Sequence, residues 1–440
     1  MSATKSISIA LTHSPASDAL AVARTAPSLS GDALWALIGA TAQAGQQAVM
    51  MIALGRLVSL LAVGQYALGL AIATPLNVFA DRAIRSLQAT AGDDDFPLAD
   101  YLGFRTALGV FAFALTIGLL LIWQSDWLAS EIVLLVTLQR VVDGLAQTIY
   151  GRLQRGGEMR RIGQSQSIRA IVTSIVALTL LLSTRRLDIT LVAAILVNLV
   201  VFMMFDLRYV LPMVGVPDVV SRQIQVNLFT TPWSKLLRSG VPLGISTFLV
   251  ALMSSLPRLS LARVTNESTL GVFSILCYVC FPMTLIVSAV MQAATPRMSL
   301  AYRADTRSYR RLCYSLFLIC TALGILNAIA IAAAGSVAVT WAFGDELVDT
   351  RGDLLWVSLA FGVGYLAAVP ATALVAQRHF RLAMITCAGS CTVCGVACLV
   401  LIPPFGLVGA IWTMTAGSTA HLLLSAVTWW WLNVVDRANA

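Results

Sequence analysis

About twelve stretches of this chain are each long and apolar enough to cross a bilayer, and few charges interrupt them. Runs near 34–54, 63–80, 104–123, 127–148, 167–183 and 188–206 precede a second set near 240–257, 270–290, 313–333, 353–376, 382–402 and 406–432. A helical span needs about 20 apolar residues. The runs are continuous, whereas barrel strands alternate in short segments, so helices are expected. Only 11% of the 440 residues are charged and 58% are hydrophobic. Soluble domains carry about 25% charged residues. The composition thus lacks the polar surface of a soluble fold, and it is too apolar for disorder.

The basic residues set an expected orientation. Twenty-two of the 29 Lys and Arg, Arg105 and Arg169 among them, fall at the termini or in the even-numbered gaps between spans. The positive-inside rule then places both termini in the cytoplasm. The net charge of +8 faces anionic inner-leaflet lipid on this reading, and nucleic acid is no partner. The N-terminal residues are rich in Ser, Thr and Ala without a long apolar core. They read as a short disordered cytoplasmic tail rather than a signal peptide, a transit peptide being the alternative.

Residues 54–66, LGRLVSLLAVGQY, align without gaps on residues 261–273, LARVTNESTLGVF, at an offset of 207. Leu54 matches Leu261, Arg56 matches Arg263, Gly64 matches Gly271 and Tyr66 matches Phe273. In both copies the segment joins the first helix of a six-helix set to the second. An even number of helices per repeat gives two lobes of the same orientation. The expected organisation is a tail over 1–33, an N-lobe over 34–206, a cytoplasmic linker over 207–239, a C-lobe over 240–432 and a tail over 433–440. The fold class is an all-α polytopic membrane protein with two pseudo-symmetric six-helix lobes around a central cavity.

Ionisable groups at membrane depth cost several kcal/mol, so each is a candidate for function. Arg140, Asp143 and Gln147 share one face of helix four, where Arg140 can bind an anion or pair with Asp143. Arg258 follows Pro257 at the end of helix seven. It reads either as a guanidinium gripping phosphate beside a broken helix or as a snorkelling interfacial residue. The repeat-related Arg56 and Arg263 face the cleft or snorkel. Gln43 and Gln47 share a face of helix one and suit sugar hydroxyls or helix–helix hydrogen bonds. Asp81 reads as solvated charge at the end of helix two.

All eight cysteines lie in apolar runs, so no disulfide framework is expected. Cys387, Cys391, Cys394 and Cys398 share a helix face, but the first and last stand about 16 Å apart along the axis and cannot converge on one metal. They read as close-packing residues. No GxSxG, P-loop or HExxH motif occurs. The chain is therefore read as a non-enzyme without a cofactor.

Four segments resemble the polysaccharide flippases, the Wzx-like branch of the multidrug/oligosaccharidyl-lipid/polysaccharide exporter superfamily. They are IRSLQATAGDDDFPLADYLGFRTA at 84–107, VDGLAQTIYGRLQRGGEMRRI at 142–162, SLPRLSLARVTNESTLGVFSILCYV at 255–279 and MQAATPRMSLAYRAD at 291–305. The resemblance implies a V-shaped pair of lobes around a cationic cavity lined by helices one and seven. It implies a monomer in the bacterial inner membrane that turns polyprenyl-pyrophosphate-linked oligosaccharide to the outer leaflet; polysaccharide polymerase machinery is a candidate partner. It adds weight to Arg258, Gln43 and Gln47. An exporter of organic cations from the same superfamily is the alternative, and the sign of the cavity charge separates the two.

Overall fold

The computed structural model describes residues 29–90, 98–123, 127–155, 157–208, 233–343 and 351–438, and all regular structure among them is helical. The N-terminal half holds α1 (Leu29–Leu57), α2 (Leu60–Thr90), α3 (Leu98–Trp123), α4 (Trp127–Arg155), α5 (Met159–Thr184) and α6 (Leu187–Val201). A π-helical turn, Phe202–Leu207, continues α6. The second half holds α7 (Trp233–Val264), α8 (Glu267–Ala304), α9 (Thr306–Phe343), α10 (Arg351–Ala376) and α11 (Phe380–Ala438).

All eleven are long and apolar enough to span a membrane. With 59 residues, α11 would be about 90 Å long if straight, three times the hydrocarbon thickness. It is not straight. Gly406, just after Pro403 and Pro404, has φ 53° and ψ −120°. That left-handed φ suits glycine, which has no Cβ to clash. The two arms fold back on each other: Ser390 meets His421 at 3.3 Å, and Gly417 lies against Cys394. Among the described residues, eleven helical elements thus supply twelve segments long enough to cross a bilayer.

Helix ends overshoot the apolar runs. Both α8 and α9 have 38 residues, about 57 Å of helix. Helix α1 starts at Leu29, inside the expected tail, and α11 continues past 432 to Ala438. Residues 1–28 of the tail and 209–232 of the expected linker lie outside the described residues, and Trp233 is already helical.

The neighbour pattern repeats. In the first half α1 packs on α5, α2 and α3 on α4, and α5 on α6. Six crossings later α7 packs on α11, and α8 and α9 on α10. The two halves meet through the repeated segment itself. Under the offset of 207, Leu60 corresponds to Glu267 and Gly64 to Gly271. Gly64 lies directly against the Glu267 carbonyl, and Gly271 lies directly against the Leu60 carbonyl. This reciprocity is the mark of an isologous contact about a pseudo-two-fold axis. Only glycine lets the backbones approach this closely. The matched residues Leu54, Leu261, Tyr66 and Phe273 are all buried in one apolar cluster around the crossing. We term this the distal end; the arginine distribution expects it outside.

Gly64→Leu or Gly271→Leu is therefore expected to part the distal ends without disturbing either half. Labelling of an introduced Tyr278→Cys by a membrane-impermeant maleimide should rise several-fold in either variant. Unchanged labelling would contradict this crossing as the distal seal.

Elsewhere the pseudo-symmetry is broken. Helix α2 packs along α7, with Phe79 edge-on to Phe248 at 6.5 Å between ring centroids and against Gly244. The equivalent pair, α1 and α8, meets only sparsely. The halves therefore pack closely along α2/α7 and only sparsely along α1/α8.

Candidate functional site

Two arginines from opposite halves lie within electrostatic reach of one tyrosine. Tyr278, on α8, lies within electrostatic reach of both Arg258 on α7 and Arg140 on α4. The Arg258 guanidinium donates to the Sγ of the adjacent Cys277. Arg140 also reaches Tyr66 on α2. Tyr66 follows Gly64 by two residues on α2, and Tyr278 follows Gly271 by seven on α8, so each tyrosine lies along its helix inward of the crossing. Among the described residues no carboxylate pairs with Arg258. Arg140 stands 3.9 Å from Asp143, at the limit of an ion pair, with both side chains about a quarter exposed (25% and 26%). Each guanidinium thus keeps donors for an anion.

Asp143 has a second partner. Arg169, on α5, approaches it at 3.5 Å and binds Asp206 at 2.7 Å. Asp206 sits in the π-helical turn after α6 and also accepts from Ser165, which bonds Tyr150 at 2.7 Å. Within a π turn side chains are offset from their α-helical directions, and Asp206 meets α5 from there. A second, partly buried pair lies beside the first. Arg105 on α3 bonds Asp81 at 3.0 Å and Asn77 at 2.7 Å, passing over Gly144. Arg105 and Arg169 are only 2% and 4% exposed. This corrects three expectations. Arg105 and Arg169 are not cytoplasmic surface charge, and Asp81 is not simply solvated. Each long charged side chain folds inward because a partner on a neighbouring helix compensates its desolvation.

The expected break at Pro257 is absent: α7 is helical through Val264, and Arg258 lies within it. Proline removes the hydrogen bond to the carbonyl four residues back, that of Met253. The thiol of Cys394 on α11 takes its place, donating to the Met253 oxygen at 3.5 Å. Membrane helices tolerate proline when a neighbour re-satisfies the freed group. The cysteines are free and buried, as close packing requires.

Arg56 lies away from the Arg140–Arg258 region. Its guanidinium donates to the carbonyls of Thr340, Trp341 and Ala342, which end α9. Cations suit helix C-termini, so Arg56 ties α1 to α9 across the distal end. Arg263 is exposed near the end of α7. Gln43 and Gln47 are half-buried on α1. Sequence reasoning passed over Tyr66, Tyr278 and Asp206. A lone tyrosine in an apolar run carries no signal, and Asp206 closes its run as an ordinary boundary charge would.

No family model matches the chain. It is 20% identical over 368 residues to the capsular polysaccharide biosynthesis protein CapF of Staphylococcus aureus, covering 82% of this chain and 89% of that one. Its fold is that of known transporters. A multidrug resistance MATE family transporter of the MOP superfamily, solved in an inward-facing conformation, superposes with TM-score 0.63 over 92% of this chain and 98% of that chain, at 14% identity. A MOP superfamily transporter from Pyrococcus furiosus, described as having a binding pocket of reverse polarity, superposes with TM-score 0.63 over 92% and 94%, at 13% identity. The Vibrio cholerae MATE transporter VcmN gives 0.62 over 93% and 97%, at 15%. The chain is a multi-pass membrane protein with the fold of MOP superfamily transporters. Its likeness to CapF agrees with the polysaccharide-exporter resemblance of the sequence.

Proposed function

We propose that this protein is a flippase. It turns a polyprenyl-pyrophosphate-linked oligosaccharide from the cytoplasmic to the outer leaflet of a bacterial inner membrane, with both termini cytoplasmic. The observation that carries the reading is that Arg258, without a carboxylate partner among the described residues, and Arg140, from the opposite half, both lie within electrostatic reach of Tyr278. Asp81, Asp143 and Asp206 are engaged by Arg105 and Arg169, and none of them pairs with Arg258. A site with spare guanidinium donors suits phosphate oxygens.

The cleft geometry supports a lipid-tailed substrate. A pyrophosphate and sugar head cannot cross about 30 Å of hydrocarbon unaided. The sparse contact between α1 and α8 marks the side from which the head would enter between the halves while the tail stays in the bilayer. Arginines replace part of the head's hydration, and parting of the Gly64–Gly271 crossing releases it to the other side. No covalent step is needed. Each arginine lies in a different half, so the bound anion bridges the two and links occupancy to their movement. The protein acts as a monomer on this reading, and its product feeds polymerase machinery.

Export of organic cations is favoured by one observation, the multidrug transporters among proteins of this fold. Proteoliposomes separate the two readings. A polyprenyl-pyrophosphate disaccharide should become accessible to glycosidase on the opposite side, and ethidium should not compete. Ethidium transport with no movement of the lipid-linked sugar would reverse the assignment.

A further inference from the structure

We infer that Asp143 is an exchangeable counter-ion: it holds Arg140 between turnovers and yields that arginine to the substrate's pyrophosphate. The inference rests on the flippase reading and assigns a positioning residue to it.

Three carboxylates and three guanidinia meet around α4. Two of the carboxylates have close partners. Asp81 holds Arg105 at 3.0 Å, and Asp206 holds Arg169 at 2.7 Å. Asp143 is held loosely from two sides. Its Oδ1 lies 3.5 Å from Nη1 of Arg169, and its Oδ2 lies 3.9 Å from Nη1 of Arg140. Charge-assisted bonds of this kind close at about 2.7–2.9 Å, so neither contact is complete. A turn of the Asp143 side chain toward one arginine shortens that contact at the expense of the other. Asp206 occupies Nη2 of Arg169, which leaves Nη1 to Asp143.

The surroundings decide which partner can be given up. Arg169 is buried, whereas Arg140 and Asp143 are each about a quarter exposed. Arg140 is therefore the arginine an arriving anion can reach. Arg105 also lies within electrostatic reach of Asp143, and its guanidinium passes over the adjoining Gly144. Asp143 thus stays compensated by two guanidinia after it releases Arg140.

This arrangement serves both halves of a transport cycle. An uncompensated guanidinium at membrane depth is costly, and Asp143 lowers that cost when no anion is bound. A pyrophosphate can displace it, because it brings more charge and can engage the planar fork bidentately. The returning carboxylate then competes with the bound anion and favours its departure. Arg258 has no such competitor among the described residues. Affinity is thus anchored at Arg258 and moderated at Arg140.

The test uses the full-length protein and Asp143→Asn, which keeps the size of the side chain and removes its charge. Arg169 retains Asp206 at 2.7 Å, so the fold should persist, as thermal unfolding can check. In detergent, Asp143→Asn should bind polyprenyl pyrophosphate about three- to tenfold more tightly. In proteoliposomes carrying a lipid-linked disaccharide, KM and kcat should both fall severalfold, because release slows. Asp143→Glu should return both toward the unaltered values. Arg140→Ala/Asp143→Asn should bind no more tightly than Arg140→Ala alone. Equal or weaker binding by Asp143→Asn would overturn the inference and leave the arginine site standing, as would a gain that survives in the double variant. Loss of the fold in Asp143→Asn would make the carboxylate a structural partner of Arg169 and also overturn it. Failure of the unaltered protein and every variant to bind the probe would overturn the flippase reading itself.

Discussion

Arg258→Ala should lower affinity for a pyrophosphate-bearing substrate by roughly ten- to a hundredfold and abolish export at ordinary substrate levels, in a protein that still folds. The magnitude follows from hydrogen bonds to a charged group, about 1.5–3 kcal/mol. Arg258 has no carboxylate partner among the described residues, so its removal leaves no buried counter-charge stranded. Arg140→Ala should cost less, because Asp143 at 3.9 Å already offsets part of its charge. Arg258→Lys should recover binding only in part, since an ammonium keeps the charge and loses the planar fork. Titration of each variant with polyprenyl pyrophosphate reads the effect. Unaltered binding and export in both alanine variants would remove the cationic site from the account.

Asp206→Ala should act on stability. Arg169 is 4% exposed and would keep only Asp143, at 3.5 Å. Removing one partner of a buried ion pair costs about 3–5 kcal/mol, because the remaining charge is stranded in a low dielectric. Loss of yield and a clear fall in thermal unfolding temperature are expected. The double variant Arg169→Met/Asp206→Leu should regain most of that loss, since it removes both charges and keeps the volume. Ser165 and Tyr150 would still satisfy each other at 2.7 Å. A double variant as unstable as Asp206→Ala alone would contradict the ion-pair explanation.

The sequence exposed these features unevenly, for physical reasons. Hydropathy marks spans directly, since every residue in hydrocarbon must be apolar or compensated. The two runs at 382–402 and 406–432 thus foretold the folded α11, with Gly406 at its bend. The repeat was readable because the pseudo-axis contact tolerates only glycine, at both Gly64 and Gly271. Charge pairing was not readable. Arg105 and Arg169 find their partners on other helices, at Asp81 and Asp206. From the chain alone each looks like one more cytoplasmic arginine near a helix end. Pro257 misled for a related reason: the thiol that repairs its helix lies on α11, at Cys394. Arg140 and Arg258 stood out as isolated charges in apolar surroundings. That both reach Tyr278 needed the packing of three helices.

The central claim is that a lipid-linked sugar crosses the membrane through this protein. Its most direct test is made in a strain lacking the gene. Polyprenyl-linked sugars are extracted and assigned to a leaflet by access to an added glycosidase or lectin. A completed unit should build up on the cytoplasmic side, with loss of surface polysaccharide, and mass would identify the cargo. No build-up, with intact surface polysaccharide, would contradict it and put export of organic cations first.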